Sequence, residues 1–556
     1  MRDGGHALAP APFRECPFDE IICTFACPFL HLAQRKCRLA PFRVAVNAFA
    51  RARRHLPCPA SRRPTHGVIR PLIRLTALAD EALNTFENIV DGAQALSVPT
   101  LRLGVTGLSR AGKTVFITAL VHNLVHGGRL PLFEAAASGR LARAFLQPQP
   151  DDAVPRFDYE AHVDTLLDER VWPQSTRQTS ELRLTIEYES ATFLKTMLGR
   201  GRLHLDIVDY PGEWLLDLPL LNKDFSTWSR EALERARDPA RNTLADDWLR
   251  ALAATDPAME AEETRARDLA ARFTAYLAAC RADDHAFSLL PPGRFLMPGD
   301  MEGSPALTFC PLDLESGGSA KRGSLHAMME RRFEAYKKHV VRPFFREHFA
   351  RLDRQIVLVD TLAALNAGPA AVRDLEAALA GILSCFRPGR NSWLSGILVR
   401  RIDRILFAAT KADHLHHADH DRLEAILAKL VEKAVARAEF AGAEVEVTAL
   451  AAIRATREAQ VRQDGTTLPA ILGTPLPGER LDGETYDGTS EIALFPGDLP
   501  NDPAAIYEAS TGPSPDLRFI RFRPPKLERT AEGLTLSLPH IRLDRALQFL
   551  VGDKLA

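Results

Sequence analysis

The stretch GVTGLSRAGKTVFITAL, Gly104 to Leu120, decides the fold. An apolar run ends in a glycine, a short loop brings a second glycine with Lys and Thr, and a further apolar run follows. Gly107-Leu108-Ser109-Arg110-Ala111-Gly112-Lys113-Thr114 fits G-x-x-x-x-G-K-[ST], with a strand expected before it and a helix after it. Glycines let such a loop wrap until its N–H groups point at phosphate oxygens, and the following helix adds the positive end of its dipole. Lys113 is expected to bridge the β- and γ-phosphates, and the Thr114 hydroxyl to ligate Mg²⁺.

Working outward, short strand-like runs appear at Leu101–Thr106, Leu182–Tyr188, Leu203–Val208, Gln355–Asp360, Arg404–Ala409 and Glu444–Thr448. Several are almost wholly apolar, as strands buried on both faces are. LRLTIEYE alternates, which suits an edge strand, and the close spacing of the second and third runs suggests an antiparallel pair. Helical stretches separate most of the others. The expectation is an α/β fold with a mostly parallel, six-stranded sheet and crossover helices.

Three further segments complete a nucleotide site. In LHLDIVDYPGEW, Asp209 stands at a strand end, where a carboxylate can hold Mg²⁺ through water, and the Gly212 N–H can sense the γ-phosphate. Glu213 follows, at the position where Ras-type enzymes carry a water-orienting Gln, so slow turnover is expected. In FAATKADH, Thr410-Lys411-Ala412-Asp413 matches [NT]-K-x-D. Asp413 can accept from guanine N1–H and the N2 amino group together; adenine offers no such pair, which disfavours an ATPase. The Lys411 stem packs along the base. Thr448-Ala449-Leu450 stands where a backbone N–H, here that of Ala449, would meet guanine O6.

Between loop and second strand, VWPQSTRQTSELR offers Thr176 and Thr179 as switch threonines over Mg²⁺, and Arg177 as an arginine finger in cis. Trp172 either stacks on the nucleotide or is a core aromatic. Lys113, Arg177 and Glu213 are thus the expected catalytic residues, and Thr114, Thr176, Thr179 and Asp209 the expected metal ligands.

These segments, together with SLHAMMERRFEAYKKHVVRPFFREHFARLDRQIVLVDTL, FRPP and LPHIRLDRALQFLVGDKL, resemble the YcjX family of bacterial P-loop GTPases from Leu72 to Ala556. The resemblance implies a Ras-like domain that binds GTP or GDP with Mg²⁺. By motif match it implies nucleotide contacts at Ser109, Arg110, Ala111, Gly112, Lys113 and Thr114, with Val115 next in the helix, and at Lys411, Asp413 and His414. Trp172, Thr176 and Arg177 carry over as well. It also implies a cytoplasmic or membrane-peripheral protein, with genes tied to envelope stress and often beside one for a YcjF-like inner-membrane protein.

Outside the motifs the chain says less. A net charge of -1 gives no global drive toward nucleic acid, and no partner of that kind is expected. No run approaches the roughly 20 apolar residues of a membrane span. The eight cysteines lack paired zinc-ribbon spacing. His416 and His420 stand one helical turn apart, a spacing that reads first as a solvated helix start. FRPGRNSWLSGILVRRIDR mixes apolar and Arg residues as an interfacial segment does, though an ordinary loop fits it too.

The expected organisation runs as follows: residues 1–70 a basic, Pro-rich arm or a mis-assigned start, 71–213 the first part of the GTPase domain, 214–353 a helical insertion, 354–460 the second part, and 461–556 a small α+β extension. Two function classes follow. One is a GTP-hydrolysing switch; the other is a nucleotide-dependent scaffold with negligible hydrolysis.

Overall fold

The computed structural model describes residues 98–556 except Ser109, Ser175, 192–199, Asp283, 315–319, 385–401, Ala441, 464–465, 509–516 and 528–536. The chain divides into two bodies, Met1–Asp80 and Glu81–Ala556. Residues 1–70, the run Leu72–Ile89, whose apolar spacing predicts a helix ahead of the first strand, and most of FRPGRNSWLSGILVRRIDR lie outside the described residues.

Seven strands form the central sheet: β1 (Thr100–Gly107), β2 (Leu141–Gln147), β3 (Ser180–Tyr188), β4 (Gly201–Asp209), β5 (Arg354–Val359), β6 (Arg404–Ala409) and β7 (Glu444–Ala449). Their order is β2-β3-β4-β1-β5-β6-β7. From β4 to β7 neighbouring strands are parallel, while β2–β3 and β3–β4 are antiparallel. The Ras-like α/β class expected from the sequence is the one found, with one strand more than expected.

Two of those expectations change. LARAFLQ forms β2, so the edge is β2 and LRLTIEYE lies inside the sheet as β3. The polar positions of β3 face paired neighbours instead of solvent. Glu181 meets Arg102 at 2.7 Å, Arg183 meets Asp206 at 2.6 Å, and Glu187 meets Arg143 at 2.6 Å. Alternation therefore marked cross-strand ion pairs and not an exposed face.

The sheet separates two cores, and the strand period of two sorts residues between them. Ile405, Phe407 and Ala409 of β6 belong to one, Leu406 and Ala408 to the other. On the second face lie α1 (Lys113–Val125), whose Phe116, Ile117, Leu120 and Leu124 are buried, and near the chain end Leu543, Leu547 and Leu550. The buried Asn123 side chain donates to the Leu538 carbonyl (3.2 Å) and accepts from its N–H (2.9 Å), stitching the C-terminal segment to α1. The 461–556 region is thus part of the body's core as well as an extension from it.

The first face carries the chain between β4 and β5. Its longer helices are α2 (Phe225–Ala236), α3 (Asn242–Ala253), α4 (Glu263–Arg281) and α5 (Leu325–Tyr336). Asp224 and Ser324 cap α2 and α5 by accepting from the Thr227 and Ala327 N–H groups. Inside, Trp228 stacks on Phe333 with centroids 4.9 Å apart. After β5 come α6 (Thr361–Ala367) and α7 (Pro369–Ser384); α8 (His420–Phe440) follows β6, and α9 (Leu543–Val551) closes the chain. Among the described residues no helix is long and apolar enough to cross a membrane.

One buried carboxylate ties this helical region to the sheet. Asp217, in the 3-10 turns Gly212–Asn222 after β4, accepts from Tyr336 OH (2.6 Å), Gly293 N (2.7 Å) and Arg294 N (3.4 Å). Asp217→Ala would strand three buried donors, so we expect a loss of about 2–4 kcal/mol. Denaturant midpoints of the two proteins check this; an unchanged midpoint would show that the anchor contributes little.

Candidate functional site

The phosphate loop turns at Arg110 (φ 61°) and Gly112 (φ 79°), both left-handed. At Gly112 that conformation lets the chain enter α1 directly, with Phe116 N donating to the Gly112 carbonyl at 2.9 Å. Lys113 is buried, and its ammonium donates to the Gly107 carbonyl at 3.2 Å.

Beside it, three oxygens line up. Thr114 Oγ1 lies 3.3 Å from Thr176 Oγ1, and Thr176 donates to Asp209 Oδ2 at 2.7 Å. The other Asp209 oxygen is buried and has no partner among the described residues. Burial pushes the Asp209 carboxyl up to about 6, against the opposing pull of the Lys113 ammonium and the Thr176 hydroxyl. An orphaned carboxylate oxygen beside two hydroxyls is a hard, all-oxygen donor set, which fits Mg²⁺. Thr176 is the switch threonine brought to these oxygens; Thr179 lies half-buried and makes no such contact in the structure.

Gly212 meets this loop from the other side. A Cβ built on it would stand 1.7 Å from the Gly107 carbonyl oxygen, so only glycine lets the two backbones approach as they do. Gly212→Ala should push the DYPG turn off the phosphate loop. We expect roughly a 10-fold or larger loss in affinity for a non-hydrolysable triphosphate and a smaller loss for the diphosphate, on the scale of one lost buried hydrogen bond. Equal affinities in mutant and wild type would remove Gly212 from the triphosphate contact.

At the far end, Asp413 is buried and its Oδ2 accepts from Ala455 N at 2.8 Å. A carboxylate has about four acceptor sites, so most of its capacity remains. Lys411 is left-handed (φ 61°) and its ammonium pairs with Asp360 at the end of β5. The Thr410 hydroxyl bonds the Val359 carbonyl at 3.3 Å. His414 is half-buried, and burial lowers its pKa, favouring the neutral ring.

Both ends open into one cleft of about 360 Å³. Arg110, Ala111, Gly112, Lys113, Thr114 and Val115 form its phosphate end, and Thr410, Lys411, Asp413 and His414 its base end. Trp172 and Thr176 wall it from the switch segment. Ser109 is outside the described residues.

Of the residues expected at the site, Gly107, Arg177, Thr179, Asp209, Gly212, Glu213 and Ala449 do not line the cleft. Ala449 is buried away from the cleft and its N–H donates to Glu424 at 3.3 Å. The loop instead lines the cleft with Leu450 to Ile453, of which Leu450 and Ala451 donate their N–H groups to Ala409 and Ile541. Arg177 is exposed and outside the cleft lining, its carbonyl lying against Gly299. The His416/His420 pair has separate partners: His420 Nε2 bonds the Ala412 carbonyl at 2.9 Å, while His416 Nε2 lies 3.9 Å from Glu458.

Reading the sequence missed one wall. Leu476, Arg521 and Phe522 reach the cleft from the C-terminal region. Phe522 stands edge-on to His414 with centroids 5.4 Å apart, and its carbonyl accepts from Trp172 Nε1 at 2.6 Å. The Pro524 carbonyl accepts from Arg170 at 3.0 Å. Proline has no N–H to donate, so RFRPP presents an extended edge of carbonyls to the switch segment. That string was legible as a motif, but nothing local said where it docks.

A phosphate loop closing β1, an acidic turn after β4 and a carboxylate-bearing loop after β6 define a P-loop nucleotide-binding protein of Ras-like α/β fold. Comparison with known proteins agrees. The YcjX-like family (DUF463) matches residues 101–555, and the chain belongs to that family. It is 38% identical over 466 residues to the Ras-like GTPase YcjX of Escherichia coli (strain K12), covering 82% of this chain and 96% of that one. To the Ras-like GTPase YcjX of Shewanella oneidensis it is 36% identical over 475 residues, covering 82% and 94%.

Proposed function

We propose that this chain binds GTP and GDP with Mg²⁺ and hydrolyses GTP slowly, as a molecular switch. The observation that carries the reading is a single cleft with the Lys113 loop at one end and the buried, mostly unsatisfied carboxylate of Asp413 at the other. Lys113 and the loop N–H groups bind the phosphates, and Asp413 selects guanine. Thr114, Thr176 and Asp209 would hold Mg²⁺, which supplies charge neutralisation on the phosphate oxygens when bound. Trp172 and Phe522 shield the cleft from solvent. Catalysis on this reading is positioning and charge stabilisation, with Arg177 reaching the phosphates only if the switch segment moves.

The second reading, a nucleotide-dependent scaffold with negligible hydrolysis, is favoured by Glu213, which is buried against Arg281 of the helical region. In either case the proposed setting is the inner-membrane periphery during envelope stress, with a YcjF-like protein as partner. Paired titrations with GTP and ATP test the base, and phosphate release with and without the membrane partner separates switch from scaffold. Equal affinity for ATP would remove the guanine reading.

A further inference from the structure

Arg281 is the last residue of α4, and its guanidinium lies 3.5 Å from Glu213 Oε1. The Glu213 side chain is 8% exposed and that of Arg281 29%. Two close backbone approaches fix Glu213 between phosphate loop and insertion. Its neighbour Gly212 abuts the Gly107 carbonyl, and a Cβ on Gly293 would stand 1.8 Å from the Glu213 carbonyl oxygen. Asp217, four residues on, is anchored by Gly293, Arg294 and Tyr336. The Glu213 backbone therefore has little freedom to retreat from a third phosphate placed beyond Lys113, and its buried carboxylate is carried with it, against Arg281.

That is an electrostatic problem. A fixed carboxylate near a γ-phosphate repels it, and burial strengthens the repulsion. Arg281 is the cation placed against Glu213. Its field also reaches the phosphate loop: the Arg110 guanidinium has a lowered pKa, caused first by burial and then by the charges of Arg521 and Arg281. One arginine from the helical insertion thus touches the turn after β4 and is felt by the loop that would hold phosphate.

We propose that Arg281 is a positioning residue for the γ-phosphate: by neutralising Glu213 it makes the preference for triphosphate over diphosphate depend on α4 of the insertion. This deepens the GTP reading above and rests on it. A diphosphate places no charge near Glu213, so its affinity does not need Arg281. The helical insertion, through the end of α4, thereby sets how the site tells its two nucleotides apart.

The test is a set of Mg²⁺ titrations with GDP and a non-hydrolysable GTP analogue on wild type, R281A, R281K, E213Q and the double variant R281A/E213Q. R281A should weaken the triphosphate about 10-fold and leave GDP within about 2-fold, as an uncompensated charge would. R281K, which keeps the charge, should keep the wild-type ratio. The double variant should recover the E213Q ratio, because no carboxylate remains to be neutralised. If Arg281 is only a staple, R281A weakens both nucleotides together, or the double variant stays as weak as R281A; either result overturns the proposal. Wild type failing to bind either guanine nucleotide would instead remove the GTP reading beneath it, an outcome separate from an altered ratio.

Discussion

Lys113→Ala is expected to reduce affinity for both GTP and GDP by roughly 30-fold to several thousand-fold, the cost of about 2–5 kcal/mol for truncating one partner of a buried charge pair. Lys113 is buried at the start of α1, and its ammonium donates to a carbonyl of its own loop, that of Gly107. It faces no carboxylate at bonding distance, although the Asp209 charge acts on it from nearby. A desolvated ammonium held only by a neutral carbonyl costs stability. The variant should therefore melt at the same temperature as wild type or higher, while binding fails. Measuring both on one preparation makes the result unambiguous. A lower melting temperature together with lost binding would mean that Lys113 holds the loop's shape, and retained affinity would remove the phosphate-loop assignment.

The sheet was legible because strand burial follows from local composition. β5 and β6 are runs of apolar residues whose alternate side chains enter different cores, and no polar residue interrupts them after the first position or two. β2 was not legible. In LARAFLQ one residue of seven is buried, and the strand exists because β3 offers it an open edge and Glu187 to pair with Arg143. Nothing within seven residues encodes that partner. β3 was misplaced for the same cause, since its charges are satisfied by Arg102, Asp206 and Arg143, far away in sequence.

The site divides along the same line. The proposed phosphate loop, acidic turn and base loop are each a few contiguous residues whose backbone chemistry is local, so their places could be expected from the sequence. The loop after β7 was expected to offer the Ala449 N–H to the base, but Glu424 of α8 takes that N–H and Ile541 of the C-terminal region takes the one at Ala451. Phe522 and Arg521 enter from some 350 positions beyond Trp172, held by a hydrogen bond to a carbonyl that every residue possesses. Contacts through backbone carbonyls leave no residue-type signature. Chemistry carried by side chains in one loop can be read in advance; a wall assembled from distant backbone cannot.

The remaining large effect concerns the base. Asp413 is buried at the base end of the cleft, with Ala455 N–H on Oδ2 and acceptor capacity left for two donors. Guanine presents two, N1–H and the N2 amino group, and a carboxylate is acceptor-only. Asp413→Asn keeps the size and turns one acceptor into a donor. Facing guanine, that donor opposes the amino group; facing xanthine, it meets the C2 carbonyl. The opposition reverses between the two nucleotides, so the two buried mismatches add. At about 1–3 kcal/mol each, the preference for GTP over XTP should swing by roughly 30-fold to 20,000-fold. The amide must also keep an oxygen toward Ala455 N–H, which orients its NH₂ group to the other side, the side open to the base. Competition titrations of GTP, XTP and ATP against both proteins measure the swing. ATP serves as the control, since its six-membered ring lacks both N1–H and a C2 substituent and should gain little. If GTP affinity is unchanged and XTP gains nothing, Asp413 does not read the base, and the cleft's selectivity for guanine must be sought elsewhere in its walls.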